Sequence, residues 1–144
     1  MAEPGTPSLD HLFSRAKEKR QIEIAFSAWN MGELIGTLDR RRQRKRLSEA
    51  EYSSAIQTFS DETLQMAEHG SIRIMPVTGK LLTDSWRIII REHIYQADSL
   101  QIASCKEEEC DIFLSADRQL RQAAIRQKIH ALDPEKDGKK ITSL

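Results

Sequence analysis

Three carboxylates in this chain lie beside apolar residues, where a charge without a partner is costly to bury. They are Glu33, Asp98 and Asp117. Carboxylates that converge repel one another unless a cation lies between them, and Mg²⁺ prefers oxygen ligands of this kind. Such an ion activates water and stabilises the charge on a phosphate during its transfer. The residue types therefore predict a divalent-metal site for phosphate chemistry.

The same three residues also fit a plainer interpretation. Asp98 and Asp117 stand at the starts of predicted helices, where a carboxylate complements the helix dipole or caps the helix. Glu33 would then pair with an arginine. Because none of the three positions is a specific motif by itself, their spacing leaves both interpretations open.

The elements that must position these acids alternate between helix and strand. Each of the first three helices is preceded by a hydroxyl side chain that suits an N-cap, and Ser48 with Glu51 makes a capping box. This alternation predicts an α/β domain with a mainly parallel sheet, in which ligands lie beyond the carboxyl ends of the strands. The predicted strands are residues 22–26, 72–77, 111–115 and 128–132, and the predicted helices begin near Ser8, Ser27, Ser48, Thr78, Ala97 and Arg118.

Helical spacing also predicts which side chains pack. Leu82, Trp86, Ile89 and His93 fall on one face of the helix after Thr78, so His93 is predicted to be a core histidine. Met31, Leu34, Ile35 and Leu38 form a similar apolar face, and Trp29 and Trp86 suit packing or subunit contacts.

Length and composition exclude several classes of protein. The chain has 144 residues, with 22 Lys and Arg against 22 Asp and Glu, so bulk charge does not hold it on nucleic acid or membrane. It contains no apolar run of about 18 residues, no Gly-rich phosphate loop and no cysteine framework. We expect a single cytoplasmic domain over residues 1–144, with loose ends at about 1–7 and 133–144.

A local basic run interrupts the neutral balance. Six of the seven residues from 40 to 46 are basic, and they either contact RNA phosphates or form a solvated helix end that complements the dipole. Arg118, directly after Asp117, is placed to meet a phosphate near the acids. The candidate RNA contacts are Arg118, Arg40, Arg41, Arg42, Arg44, Lys45 and Arg46.

Three segments in order carry a family resemblance. Residues 97–103 read Ala-Asp-Ser-Leu-Gln-Ile-Ala, residues 110–120 form a strand that ends in Ser-Ala-Asp, and residues 27–34 contain Ser followed by Glu-Leu. Together they resemble the PIN-domain family, which includes the VapC-type toxin ribonucleases. The resemblance extends from about Pro4 to Asp133.

This resemblance implies a three-layer α/β/α fold and a ribonuclease that cuts phosphodiester bonds with water activated by Mg²⁺ or Mn²⁺. Glu33, Asp98 and Asp117 would match three of the family's four acidic positions, and the hydroxyl of Ser115 would position a ligand or water. Asp111 would be a turn residue. In the toxin branch an antitoxin protein covers the site, and the nuclease usually forms a homodimer.

The chain departs from the family pattern at its start. The family begins with a central strand that ends in a metal-binding aspartate, and residues 1–6 contain no such segment. Its loss would leave two half-sheets with unpaired edges. We expect either a longer natural protein, which we prefer, or a strand from another segment or subunit, or an inactive relative.

For the chain as written, the missing acid predicts weak activity or none. The alternative function is a catalytically inactive PIN-like module that binds protein or RNA, in which the acids serve only as caps and ion-pair partners.

Overall fold

Helices and short strands alternate along the chain in a computed structural model that describes residues 4–19 and 22–144. This alternation, with parallel strand pairs, confirms the predicted α/β class. The elements in chain order are α1 (Thr6–Lys19), β1 (Ile24–Ser27), α2 (Ala28–Gln43), α3 (Glu49–Glu68), β2 (Ile72–Met75), α4 (Gly79–Glu92), α5 (Gln96–Glu107), β3 (Phe113–Leu114), α6 (Arg118–Arg126), β4 (Ala131–Leu132) and α7 (Gly138–Thr142).

The strands are shorter than predicted and form two separate pairs in the part of the chain that the structure describes. In one pair β1 runs parallel to β2, with Ile24 opposite Ile72. In the other β3 runs parallel to β4, with Phe113 opposite Ala131. The absence of the family's first strand stays a prediction.

The chain divides into two compact units, each of which is described by itself. The larger unit consists of residues 1–15 and 77–144, and the smaller unit consists of residues 16–76. Helix α1 begins in the larger unit and ends in the smaller one. The expectation of one domain over residues 1–144 stays a prediction.

The core of the larger unit is a continuous cluster of apolar side chains from α4, α5, β3 and α6. Burial of this apolar area is the main stabilising contribution to the unit. The buried members are Leu81, Ile88, Ile94, Leu100, Ile102, Ala103, Cys105, Phe113, Leu120, Ala123 and Ala124.

The buried face of α4 differs from the predicted one. Leu81, Ser85, Ile88 and Glu92 face inward, so the prediction that His93 packs in the core was wrong. Trp86 is 50% exposed and does not pack in the core, and the subunit contact stays a prediction for it. His93 is exposed and ends the helix in the left-handed conformation, with φ of 56°. Both stripes of α4 carry Leu and Ile, and the spacing alone did not decide between them.

The C-terminal residues 133–144 are ordered, in contrast to the expected loose end. Ile141 of α7 is fully buried, and the backbone amide of Asp133 donates to Asp137 Oδ2 at 3.0 Å. The many charges of this segment suggested disorder, whereas local hydrogen bonds hold it in a turn followed by one short helix. Residues 1–3 and Arg20, the predicted end of the first helix, lie outside the described residues.

The helices of the smaller unit begin with the predicted caps. Ser27 and Asn30 form a capping box at α2, and Ser48 and Glu51 form another at α3. Gly70 follows α3 with φ of 70°, a conformation that glycine adopts without steric cost. No residue of α2 is buried, and Leu34 and Ile35 on its predicted apolar face are 43% and 42% exposed.

Among residues 4–19 and 22–144, no helix has both the length and the apolar character needed to cross a bilayer.

Candidate active site

The loop after β3 carries two of the predicted site residues. The Ser115 amide donates to the Leu132 carbonyl at 3.2 Å, which continues the pairing of β3 with β4. The Ser115 hydroxyl accepts from the Asp117 amide at 3.1 Å. The loop is therefore fixed at the carboxyl end of the strand pair, where α/β proteins bind ligands.

Asp117 is the N-cap of α6, as the plainer interpretation predicts. Its Oδ1 accepts hydrogen bonds from the amides of Gln119 and Leu120 at 2.7 and 3.0 Å. Within the described residues, Oδ2 receives no hydrogen bond, and the side chain is exposed. One carboxylate oxygen thus stabilises the helix, whereas the other takes no part in these hydrogen bonds.

A buried ion pair supports this loop from behind. Arg121 Nη1 donates to the Ser115 carbonyl at 2.6 Å, and its Nη2 lies 2.7 Å from Asp133 Oδ2. The side chains of Arg121 and Asp133 are only 12% and 6% exposed. Asp133 also accepts from the Glu135 amide at 2.9 Å through Oδ1. Arg121 therefore joins the loop after β3 to the loop after β4.

Asp98 lies in the first turn of α5 and is half-buried. Ser99 and Leu100 beside it are fully buried, so the backbone that carries the carboxylate is held by the core. A negative charge in the first turn is favoured by the helix dipole. Asp98 thus belongs to the same unit as Ser115, Asp117 and Arg118.

Arg118 is the first residue of α6 and is exposed. Arg126 on the same helix instead binds Glu92, with Nε 2.6 Å from Oε2. Burial by itself raises the pKa of Glu92, but hydrogen bonds from Arg126 and Gln127 outweigh it and hold that pKa below its usual value. Of the three arginines on α6, only Arg118 makes no ion pair among the described residues.

Glu33 belongs to the smaller unit, on exposed helix α2. The Asn30 side-chain amide donates to its Oε2 at 3.4 Å. Among the described residues Glu33 makes no ion pair with an arginine, so the pairing expected in the plainer interpretation is not present.

The basic run of residues 40–46 begins in the last turn of the same helix and continues past its end at Gln43. Arg42 pairs with Asp39 at 2.8 Å and Glu49 at 3.0 Å, contacts that raise its pKa, and its guanidinium lies over the Tyr52 ring. Arg42 is therefore engaged by the protein itself. The side chains of the other basic residues in the run are exposed; they are Arg40, Arg41, Arg44, Lys45 and Arg46.

The donor groups of the candidate site are carboxylates and one hydroxyl. Carboxylates and a hydroxyl are donors of the kind that Mg²⁺ and Mn²⁺ take, and Mg²⁺ often binds one or two carboxylates together with water and substrate phosphate. Across residues 4–19 and 22–144, no three His, Cys, Asp or Glu side chains are grouped to hold an ion. The donor groups of Asp98, Ser115 and Asp117 suit a metal ion whose remaining ligands are water and substrate phosphate.

A comparison with protein-family models matches residues 8–126 to the PIN domain. The chain belongs to the PIN-domain family. Searches among curated proteins and among solved structures gave no match. PIN domains are generally nucleases that need divalent metal ions. The match includes the whole smaller unit, most of the larger unit and all three predicted acids.

Sequence reasoning missed Arg121 and Asp133, the two residues that hold the loop after β3 in place. On α6 the sequence pattern pointed to Arg118 and not Arg121, and it placed Asp133 in a loose end. An arginine one turn after a capping aspartate is a weak signal by itself. The pairing of β3 with β4, which brings Asp133 beside that arginine, is needed to recognise it.

Proposed function

We propose that this PIN domain is a metal-dependent endoribonuclease of the toxin type, with its reaction centre at the carboxyl end of β3. The observation that carries the proposal is the divided role of Asp117. Its Oδ1 caps α6, whereas Oδ2 is left without a hydrogen bond in the described residues. A helix cap needs only one oxygen, so the exposed second oxygen is available to a cation.

Asp98 is the second carboxylate of the proposed centre. Helix α5 returns to β3 through residues 108–112, a short connection. A short connection favours opposite directions for the helix and the strand, so the start of α5 is expected at the end of the unit where β3 finishes. This topology supports a shared site for Asp98 and Asp117.

Each residue has a proposed role in cleavage. Asp98 and Asp117 of the larger unit would hold Mg²⁺ or Mn²⁺, which when bound would supply activated water and stabilise charge on the phosphate. The assignment of Glu33 as a further ligand stays a prediction from the sequence. The Ser115 hydroxyl, whose oxygen already accepts from Asp117, retains its proton to donate to a ligand or water. Arg118 would attract the RNA phosphate, because a guanidinium binds phosphate in a bidentate manner.

RNA and protein partners form part of the same proposal. The exposed cations of residues 40–46 would add attraction for the RNA backbone, since each neutralised phosphate strengthens binding. An antitoxin protein and a second copy of the chain would cover exposed apolar side chains, a common feature of interaction surfaces. Examples are Trp29, Leu34, Trp86 and Ile90.

One observation favours the alternative, a catalytically inactive PIN module that binds protein or RNA. No group of three metal-binding side chains occurs in the described part of the chain, and Asp117 already serves as a cap. In that case the acids stabilise helix ends and take no part in chemistry. The two functions are distinguished by removing a carboxylate charge from a chain that still folds. A nuclease then loses RNA cleavage, whereas an inactive module has no cleavage to lose.

The test is cleavage of a mixed panel of labelled single-stranded and hairpin RNAs with Mn²⁺ or with EDTA. We expect slow cleavage that requires the metal and falls at least about 100-fold in Asp98→Asn, since the charge that binds the ion is lost. Asp111→Asn is the matched control, because Asp111 is an exposed aspartate in a turn of the same unit.

Cleavage that persists in EDTA, or that falls equally in Asp111→Asn, would refute the metal mechanism. RNA that is bound but never cleaved with either metal would favour the inactive module.

A further inference from the structure

A groove of about 460 Å³ lies in the larger unit between α4 and the C-terminal ends of α5 and α6. Its charged lining consists of Lys80, Arg87 and Arg91 from α4, Lys106 from α5, and the acids Asp84 and Glu107. We refer to it as the α4 groove. Its volume falls within the range of ligand sites in proteins.

The charges in this groove do not balance. Lys80 Nζ lies 2.7 Å from Asp84 Oδ2 and 3.8 Å from Glu107 Oε2, so both acids are directed at a single lysine. Lys106 donates to Gln127 Oε1 at 3.2 Å, and that amide oxygen carries no charge to neutralise it. The groove therefore keeps an excess of positive charge in a chain whose formal net charge is zero.

The two arginines reinforce this excess. Arg87 makes no ion pair in the part of the chain that the structure describes, and Arg91 lies 3.9 Å from Glu92, which is bound more closely by Arg126. Arg87 and Arg91 stand four residues apart on α4, a spacing at which like charges destabilise a helix. Asp84 attracts Arg87 and Glu92 attracts Arg91, but each of these acids is bound more closely by another cation.

The groove is separate from the proposed reaction centre. Lys106 lies eight residues after Asp98 on α5, about 12 Å along the helix axis. Gln127, which also lines the groove, is the C-cap of α6, whereas Asp117 is its N-cap. Both helices therefore have a candidate acid at one end and the groove at the other.

We propose that the α4 groove binds the phosphate backbone of single-stranded RNA, as a second contact away from the reaction centre. From Lys80 to Arg91 the cations extend along about 16 Å of helix, a linear row that suits an extended polyanion. The lining contains no aromatic side chain on which a single base would stack. This inference depends on the proposed function only for the choice of RNA as the polyanion.

The experiment measures binding of a labelled 20-nucleotide polyuridine to the full chain in EDTA, at several salt concentrations. Each lost phosphate contact reduces the slope of log affinity against log salt by about 0.7 for a single strand, so the double variant Arg87→Gln/Arg91→Gln is expected to reduce it by about 1.4. The control Lys139→Gln removes an exposed lysine elsewhere in the unit and is expected to leave the slope unchanged.

A gain-of-function variant keeps the test independent of misfolding. Asp84→Asn removes the closer of the two acids that pair with Lys80. We expect the affinity for polyuridine to rise about twofold to fivefold, the effect of one exposed ion pair. An unchanged slope in the arginine variant, an equal loss in the lysine control, or no binding by the wild-type chain would overturn the proposal.

Competition with polyglutamate separates RNA from an acidic protein segment. If polyglutamate displaces polyuridine as strongly as unlabelled RNA of equal charge does, the proposal is overturned in favour of an acidic peptide. Because EDTA removes the metal, binding reports on the groove even if the chain has no nuclease activity. Conversely, metal-dependent cleavage with an unchanged salt slope would support the reaction centre and refute the groove.

Discussion

The larger and smaller units hold their functional residues by different kinds of contact. In the larger unit, eleven apolar side chains form one buried cluster. In the smaller unit, the described residues of α2 and α3 bury only Met66. Packing over long sequence separations thus fixes Asp98 and the Ser115–Asp117 loop, whereas local hydrogen bonds define the helix that carries Glu33.

The ion pairs of the two units differ in burial. In the larger unit, the buried Glu92 binds Arg126, which lies 34 residues later in the chain. The buried Asp133 binds Arg121, which lies 12 residues earlier. In the smaller unit Arg42 binds Asp39 and Glu49 on the surface. A buried pair is costly to break, whereas a surface pair contributes about 0–1 kcal/mol. The positions of Asp98 and of the Ser115–Asp117 loop therefore depend on contacts within the larger unit.

The largest effect is expected for Arg121→Met. This change removes the closest cation from the buried Asp133 carboxylate, which keeps the exposed Lys136 at 3.9 Å and the Glu135 amide. It is expected to lower the free energy of unfolding by about 3–5 kcal/mol. Urea unfolding followed by circular dichroism measures it. The double variant Arg121→Met/Asp133→Leu removes both charges and should recover much of that loss; a single-variant loss below about 1 kcal/mol would show that the ion pair does not support the loop.

The next effect compares the same substitution in the two units. Leu100→Ala removes a fully buried side chain and is expected to cost about 2–5 kcal/mol. Leu34→Ala changes a side chain that is 43% exposed and should cost about 0.5 kcal/mol or less. Urea midpoints of both variants give the measurement. Equal losses would mean that α2 is packed as firmly as α5, against the comparison.

The smallest effect concerns acid stability. The pKa of Glu92 is lower in the folded chain than in the unfolded one, so its contribution to stability is complete above the unfolded pKa of about 4.3 and is lost as the pH falls through the lower folded value. We expect Glu92→Gln to be less stable than wild type at pH 7, with a difference that shrinks towards pH 3. Urea midpoints across this pH range measure it, and a difference that grows on acidification would contradict the assignment.

Local signals were the part of the fold that sequence predicted well. The Ser48–Glu51 capping box, the Thr78 cap and Gly70 after α3 are all present. Each depends on residues within one or two turns, so neighbouring positions contain the whole cause. The buried face of α4 was mistaken because Glu92, a charged residue, lies on it and is tolerated only through Arg126.

The sequence predicted the residue types of the candidate site, but only some of the contacts that hold these residues in place. Asp117 follows its strand as expected, and its capping role was one of the two interpretations. The Arg121–Asp133 pair escaped prediction because it exists only once β3 and β4 lie side by side. Sequence spacing carries no information on that pairing.

Direct binding of Mn²⁺ tests the central claim that Asp117 has a second role beyond capping. Asn caps a helix about as well as Asp, so Asp117→Asn should keep the unfolding midpoint while removing the charge. Isothermal titration of Mn²⁺ into wild type and Asp117→Asn is the measurement. We predict at least about tenfold weaker Mn²⁺ binding in the variant at an unchanged midpoint. Equal Mn²⁺ affinity in the two proteins, or no binding by either, would contradict the account and leave Asp117 as a cap alone.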